Sequence, residues 1–329
     1  MKRTVANWLS VTLVLAASAA GAAPLAGPLT GFVFDAKSQT IRPIQGLPGA
    51  ALLGTAVALP FSVRQAEIAP GGRFALAAAE GDDRVYLAAD LDQAEARIHR
   101  LDIAMSERIV FSANGASAVL WAPQSDRFQV ISGMPERPES HAPFSISGLP
   151  GSVTAAAVTN DGSALLVIAN DGENKSALYR VSTAGGEARP AEFLLPLERG
   201  VAVSFLNGGR DAIAADAGSA QIFHIRDLEG AREILLLAGA GDGVDRPAAI
   251  AQTVDNKRIL VVNTGSRSIL VVDPSGVEAM RNIPVPLAPT RCDRMVSASV
   301  FRLNDGAEGP LYLLELEDTT AASFFVPAQ

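Results

Sequence analysis

The stretch VTAAAVTNDGSALLVIANDG, Val153 to Gly172, sets two short apolar runs on either side of Asn160-Asp161-Gly162. Asp-Gly supplies the positive φ that a tight hairpin turn demands, and runs rich in Val, Leu and Ile suit half-buried, pleated strands. The stretch therefore predicts two antiparallel strands joined at Gly162. The same grammar returns along the chain: PGGRFALAAAE from Pro70, ANGASAVLWAP from Ala113, NGGRDAIAAD from Asn207, VDNKRILVVN from Val254 and NDGAEGPLYLLELE from Asn304. With Gly72, Gly115, Gly162, Gly209, Asn256 and Gly306 as anchors, the steps are 43, 47, 47, 47 and 50 residues. A period of that size belongs to propellers and helical arrays rather than to β-solenoids, whose repeats run about 20 to 30 residues. No segment between anchors carries a 3.6-residue apolar stripe longer than two turns, so an α/β repeat is disfavoured.

Each unit continues with a third strand, RVYLAAD, RFQVISG, SALYRVS, QIFHIRD or SILVVD, and a more polar fourth, ARIHRLD, PFSISGL, EFLLPL, REILLLA or MRNIPV. Hydrophobicity that fades outward over four strands is what a propeller blade requires, because its inner strands are covered on both faces by neighbouring blades. The expected fold is an all-β propeller of six four-stranded blades closed by N- and C-terminal strands, with seven blades as the alternative. In that scheme GFVFDAKSQTIRPIQGLPG, from Gly31, stands for the third and fourth strands of a blade that the C-terminal MVSASVFRLNDG and PLYLLELE complete. The apolar insertion between Ala50 and Pro60 is expected to plug or cover one end of the channel, or to act as a lid or partner-binding loop.

The chain opens with a positive head, Met1-Lys2-Arg3, then an apolar run and Ala20-Gly21-Ala22, the pattern of a secretory signal peptide. Residues 1–22 are expected to be removed, leaving 23–329 as a single propeller domain that is secreted or periplasmic. No cysteine follows the signal to take a lipid, and no membrane span is expected after cleavage. Cys292 is the only cysteine, so no internal disulfide is possible, and it is read as a small buried hydrophobe. The net charge of −8, from 27 basic and 35 acidic residues, and the absence of basic clusters argue against a nucleic-acid partner.

Candidate site residues follow from repeat symmetry. The ends of the strands after each anchor fall at Glu80, Asn170, Asp216, Asn263 and Glu315, with Pro123 as the odd member. Symmetry brings them to one face of the disc, a possible channel rim able to hold a cation or a sugar hydroxyl. The competing reading is that Asn and Asp cap loops there whatever the protein does. His99, His141 and His224 fall in different repeats without metal-ligand spacing, and no G-x-S-x-G elbow occurs, so neither a metal nor a cofactor is expected.

The block DNKRILVVNTGSRSILVVDPSG, Asp255 to Gly276, resembles the YVTN-type repeat of surface and lactonase-like propellers, and Asn160 to Gly186 is a looser copy. GFVFDAKSQTIRPIQGLPGAALLG also resembles the start of a group of uncharacterised secreted bacterial propellers. This resemblance implies export and a blade grammar, and among lactonase-like members a hydrolytic activity. Two functions are therefore carried. The first is an exported, monomeric binding or scaffold module for a protein or a small polar ligand, with a flat mixed-polarity face. The second is a periplasmic lactonase-like hydrolase of a small polar substrate, which makes catalysis an open matter.

Overall fold

The computed structural model describes residues 27–146, 148–172, 175–183, 190–306, 309–318 and 320–327. The signal-peptide reading of 1–22 lies outside them. All six anchors adopt the left-handed conformation that the turn reading requires, Gly72 at φ 68°, Gly115 at 79°, Gly162 at 75°, Gly209 at 102°, Asn256 at 57° and Gly306 at 71°. At four of them the anchor N–H closes the turn onto the carbonyl three residues back, as Gly162 does onto Thr159 at 3.0 Å.

The strands so joined form seven antiparallel sheets among the described residues. Sheet one holds β1 (Leu29–Asp35), β2 (Thr40–Gln45) and β3 (Leu52–Leu53). Sheet two holds β4 (Val63–Ile68), β5 (Phe74–Ala79), β6 (Arg84–Ala89) and β7 (Arg97–Ala104). Sheet three holds β8 (Arg108–Phe111), β9 (Ala118–Trp121) and β10 (Arg127–Ser132), with β11 (Glu139–Ser140) and β12 (Phe144–Ser145) sharing its outer edge. Sheet four runs β13 (Ser152–Val158), β14 (Ala164–Asn170), β15 (Ser176–Ser182), β16 (Glu192–Leu197). Sheet five runs β17 (Gly200–Leu206), β18 (Asp211–Asp216), β19 (Gln221–Arg226), β20 (Glu233–Ala238). Sheet six runs β21 (Pro247–Gln252), β22 (Ile259–Asn263), β23 (Ser268–Val272), β24 (Arg281–Pro284). Sheet seven runs β25 (Asp293–Arg294), β26 (Val300–Arg302), β27 (Leu311–Leu316), β28 (Ala321–Val326).

Between every pair of neighbouring sheets lies one apolar cluster, and the clusters link the sheets into a ring. Leu166 and Ile168 of β14 meet Ala212 and Ala214 of β18. Ile213 of β18 meets Ile259 and Val261 of β22, and Leu260 and Val262 of β22 meet Phe301 of β26. Val33 of β1 meets Val300 of β26, while Phe32 of β1 meets Ala75 of β5. The protein is a seven-bladed β-propeller whose core is divided among its seven interfaces. Second strands are buried throughout because each is sandwiched between its counterparts on both sides.

Seven blades replace six, and the shared blade gives way to two separate ones. The chain ends meet face to face across the Val33–Val300 cluster instead of edge to edge, so each keeps its own sheet. β28 pairs along the whole of β27, which leaves no place for an N-terminal strand there. The same packing shows that β1 and β2 occupy the second and third positions of blade one, not the third and fourth. An equivalent contact agrees: Val63, opening β4, donates to Gln39 in the β1–β2 turn at 2.8 Å, just as Val153, opening β13, donates to Pro123 between β9 and β10 at 3.4 Å.

The Ala50–Pro60 insertion neither plugs nor covers the channel. Leu52 and Leu53 form β3, paired with Gln45 and Ile44, and the segment then follows the outer edge of β2 through Gly54 N–H to Pro43 carbonyl at 2.7 Å and Val57 N–H to Ile41 carbonyl at 2.8 Å. It is the outer strand of blade one. The anchor at Gly306 also differs from the other five, since it joins β26 to β27, the second and third strands of its blade.

Candidate functional site

First strands of propeller blades converge on the axis, and two of them are made of small residues, SVTAAAV in β13 and PAAIAQ in β21. The strand entering blade seven departs from this pattern. Thr290-Arg291-Cys292-Asp293-Arg294 places three charges within four residues, where β13 and β21 carry small uncharged residues and β4 carries Glu67. Cys292 turns outward into the cluster between blades six and seven, where burial pushes its thiol up. Arg291, Asp293 and Arg294 line the channel cavity of about 450 Å³.

Arg291 is held by carboxylates from two blades. It pairs with Glu67 of β4, with Asp293 at 2.6 Å and with Asp305 at 2.7 Å. Arg302 of β26 reaches Asp293 at 2.6 Å from the other side. Burial alone would weaken the charge on Arg291, but Asp293, Glu67 and Asp305 outweigh it and hold the guanidinium firmly protonated. Asp293 is held below the usual carboxylate range by Arg291 and Arg302 against the cost of its burial. Glu67 moves the opposite way: burial and the neighbouring Asp293 raise it, and Arg291 offsets them only in part. One carboxyl of this cluster thus has its pKa raised inside a cavity, the kind of perturbation that functional sites share.

Arg294 stands apart. Its guanidinium donates to the carbonyl of Ala113 at 3.2 Å, and among the described residues it has no carboxylate within ion-pair range. Burial pushes its proton affinity down, with no compensating anion. Across the same cavity Gln252 carries a buried side-chain oxygen with no hydrogen-bond partner. Four turn asparagines, Asn114, Asn160, Asn207 and Asn256, one from each of blades three to six, complete the mouth. Among them Asn160 accepts the Asn114 backbone N–H at 3.3 Å, and Asn207 donates to Asp211 at 2.7 Å.

A second cavity, about 710 Å³, opens on the opposite face where blades seven, one and two meet. Phe34, Asp35 and Lys37 from blade one, Glu67 from blade two, and Arg291 and Asp305 from blade seven line it. Glu67 and Arg291 belong to both cavities and separate them.

Of the residues expected from repeat symmetry, Glu80, Asn170, Asp216 and Asn263 stand at the ends of second strands of four blades, and Glu315 lies on β27, a third strand. None of the five lines either cavity. Asp216 is buried and accepts the backbone N–H groups of Arg199, Glu198 and Gly218 and the Ser219 hydroxyl. Asn263, fully buried, takes the Asp245 N–H at 3.1 Å and donates to the Gly243 carbonyl at 3.0 Å. Asn170 accepts the N–H of Gly172 at 2.9 Å. These three tie the loop that leaves the second strand, and Asp216 and Asn263 also tie the loop that enters the first. The charges that do converge were visible only as TRCDR, a run whose position on a first strand depends on counting seven blades.

No family model matches the sequence, and no curated protein matches it. Solved structures do resemble the fold. A 6-phosphogluconolactonase-like protein from Bacteroides uniformis superposes with a TM-score of 0.60 at 14% identity, over 90% of this chain and 94% of that one. A protein from Lactobacillus plantarum gives 0.57 at 17% identity, over 91% and 96%. Hydrazine synthase from Kuenenia stuttgartiensis gives 0.57 at 13%, over 95% and 99%. What this chain has in common with them is the propeller itself, the lactonase-like kind included; at such identities chemistry does not carry over.

Proposed function

We propose that this chain is an exported, monomeric propeller that binds a small anionic, hydroxyl-bearing molecule, of the sugar-acid class, in its channel. The observation that carries this reading is Arg294, a half-buried cation on the cavity wall with a single carbonyl partner. A charge that is partly withdrawn from water gains from a counterion, and an anion entering the cavity supplies one. The unpartnered oxygen of Gln252 and the turn asparagines offer contacts for hydroxyl groups. Concave cavities charged from several blades also favour a small ligand over a protein docked on a flat face.

Calorimetric titration with gluconate, 6-phosphogluconate and glucose tests it. The anions are expected to bind and glucose not to, and Arg294→Gln should weaken anion binding by about tenfold or more, since a hydrogen bond to a charged group is worth roughly 1.5–3 kcal/mol. Equal binding of glucose, or an unchanged affinity in the variant, would sink the idea. Export is tested separately, by N-terminal sequencing of the protein recovered from the periplasm or medium, with Ala23 as the expected first residue.

A second reading, lactone hydrolysis, is favoured by Glu67. A carboxyl whose pKa burial raises, beside an arginine, suits general acid–base work on an ester carbonyl. Hydrolysis of a sugar-lactone panel that disappears in Glu67→Gln would establish it; no turnover by the unaltered chain would dismiss it.

A further inference from the structure

An amide side chain has an oxygen that only accepts and an NH2 group that only donates, and whichever the protein leaves unused is what a ligand can meet. At the channel mouth, neighbours of fixed character decide this for three asparagines. The Asn114 oxygen accepts the N–H of Ala116 at 2.9 Å and the Ser112 hydroxyl at 3.1 Å, and the Asn160 oxygen accepts the N–H of Asn114 at 3.3 Å. Both residues therefore keep an NH2 group without a partner among the described residues. Ala113, whose carbonyl takes the guanidinium of Arg294, directly precedes Asn114. Arg294 and these two amides thus make one continuous donor side of the cavity, over blades seven, three and four.

Blades five and six are the reverse. Asn207, in the turn after β17, donates to the carboxylate of Asp211, which opens β18, at 2.7 Å. Burial would raise the pKa of Asp211, but the Asp227 N–H, the Asn207 amide and His224 hold it below the usual carboxylate range. An ionised carboxylate cannot accept the amide the other way round, so the Asn207 oxygen is left as an acceptor without a partner among the described residues. Gln252, at the end of β21, adds a second: its side-chain oxygen is buried and unpartnered, and the residue lines the same cavity. Such an oxygen gains a bond only from a ligand group that carries a hydrogen.

We infer that the channel reads its ligand by hydrogen-bond polarity: Arg294, with Asn114 and Asn160, takes the acid group, while Gln252, with Asn207, takes hydroxyl hydrogens. Gln252 is then the specificity-determining residue that favours hydroxy acids over plain carboxylic acids. This assignment rests on the anion site proposed for the channel. A hydroxyl at Gln252 supplies the bond, whereas a methylene in its place covers the oxygen and leaves it unbonded, which rejects the hydroxyl-free acid.

Calorimetric titration with gluconate and with hexanoate, which keeps the carboxylate and the chain length but has no hydroxyl, tests the assignment in the unaltered chain, Gln252→Met and Arg294→Gln. The unaltered chain should bind gluconate more tightly than hexanoate. Gln252→Met, similar in shape but without the amide oxygen, should weaken gluconate by about fivefold, as the loss of one neutral hydrogen bond does, and leave hexanoate unchanged. Arg294→Gln should weaken both acids by the same factor. The urea midpoint of free Gln252→Met should match that of the unaltered chain, because no bond within the fold is lost. Three results would overturn the role of Gln252 and leave the anion site standing: hexanoate bound as tightly as gluconate by the unaltered chain, an unchanged gluconate affinity in Gln252→Met, or an equal loss of both acids in that variant. A lowered midpoint in Gln252→Met would also overturn it, by showing that the oxygen serves the fold. Binding of neither acid by the unaltered chain would remove the anion site itself, and this assignment with it.

Discussion

Glu67 of β4 and Arg291, entering β25, form an ion pair between the inner strands of blades two and seven, spanning the place where blade one would put its own inner strand. The two side chains are 25% and 26% exposed, so the pair lies between the exposed ion pairs that contribute little and the buried ones whose disruption is severe. It bridges the channel wall at the one blade in which, among the described residues, no first strand is present.

Removing the cation from this cluster should therefore cost more than removing the acid. Arg291→Met leaves Glu67, Asp293 and Asp305 facing one another and is expected to lower unfolding free energy by about 3 kcal/mol in urea. Glu67→Gln removes a carboxyl whose charged form is already disfavoured and should cost about 1 kcal/mol or less. Equal losses in the two variants would show that the network is not organised around Arg291.

Asp216 is expected to behave as a structural residue. Its carboxylate accepts from Arg199 N–H at 2.7 Å, Glu198 N–H at 2.8 Å, and Gly218 N–H and the Ser219 hydroxyl at 2.9 Å. Burial would raise its pKa, but these donors overcome it and hold the pKa below 3.8. The folded state thus prefers the charged form. The resulting stability is present above the unfolded pKa near 4 and is lost as pH falls through the lower folded value. Asp216→Ala should cost about 2–3 kcal/mol at pH 7, and the gap to the unaltered chain should narrow below pH 4 in urea titrations.

His224 should give a pH signature of the same sign in a higher window. It is buried on β19 with neither ring nitrogen hydrogen-bonded, and Asp211 is 3.6 Å away. Burial lowers its pKa, and the attraction of Asp211 offsets this only in part. The unfolded chain therefore takes up a proton that the folded chain resists, and stability falls as pH drops through the unfolded value near 6.5. Urea midpoints at pH 7.5 and 5.5 should differ more for the unaltered chain than for His224→Phe.

Two turn glycines should respond unequally to alanine. Gly151 sits at φ +62°, and an added Cβ would lie 2.0 Å from the backbone oxygen of Asn170. Gly172 sits at φ +88° with open space around it. Gly172→Ala should cost about 1 kcal/mol from backbone conformation alone, whereas Gly151→Ala also displaces the start of β13 and should cost several times more. Thermal unfolding of the two variants, measured side by side, checks this.

Local chemistry was enough to reveal the blades. Asp161-Gly162 and its counterparts dictate positive φ at the anchors, and the strands that follow differ in apolar content according to their distance from the axis. Those are properties of a few neighbouring residues, so a linear chain displays them. The count of blades and the identity of the site are different in kind. Whether β1 joins β28 edge to edge or packs beside it depends on the match between Val33, Val300 and Leu313 across the ring, a contact between residues far apart in sequence. The same holds for the rim series: Asp216 and Asn263 carry the residue types of a binding rim, yet nearby backbone N–H groups claim their oxygens. The charges that meet at the channel, Glu67 and Arg291, sit in unlike repeats and share no motif. Only closure of the ring, which sets blade seven beside blades one and two, brings them together.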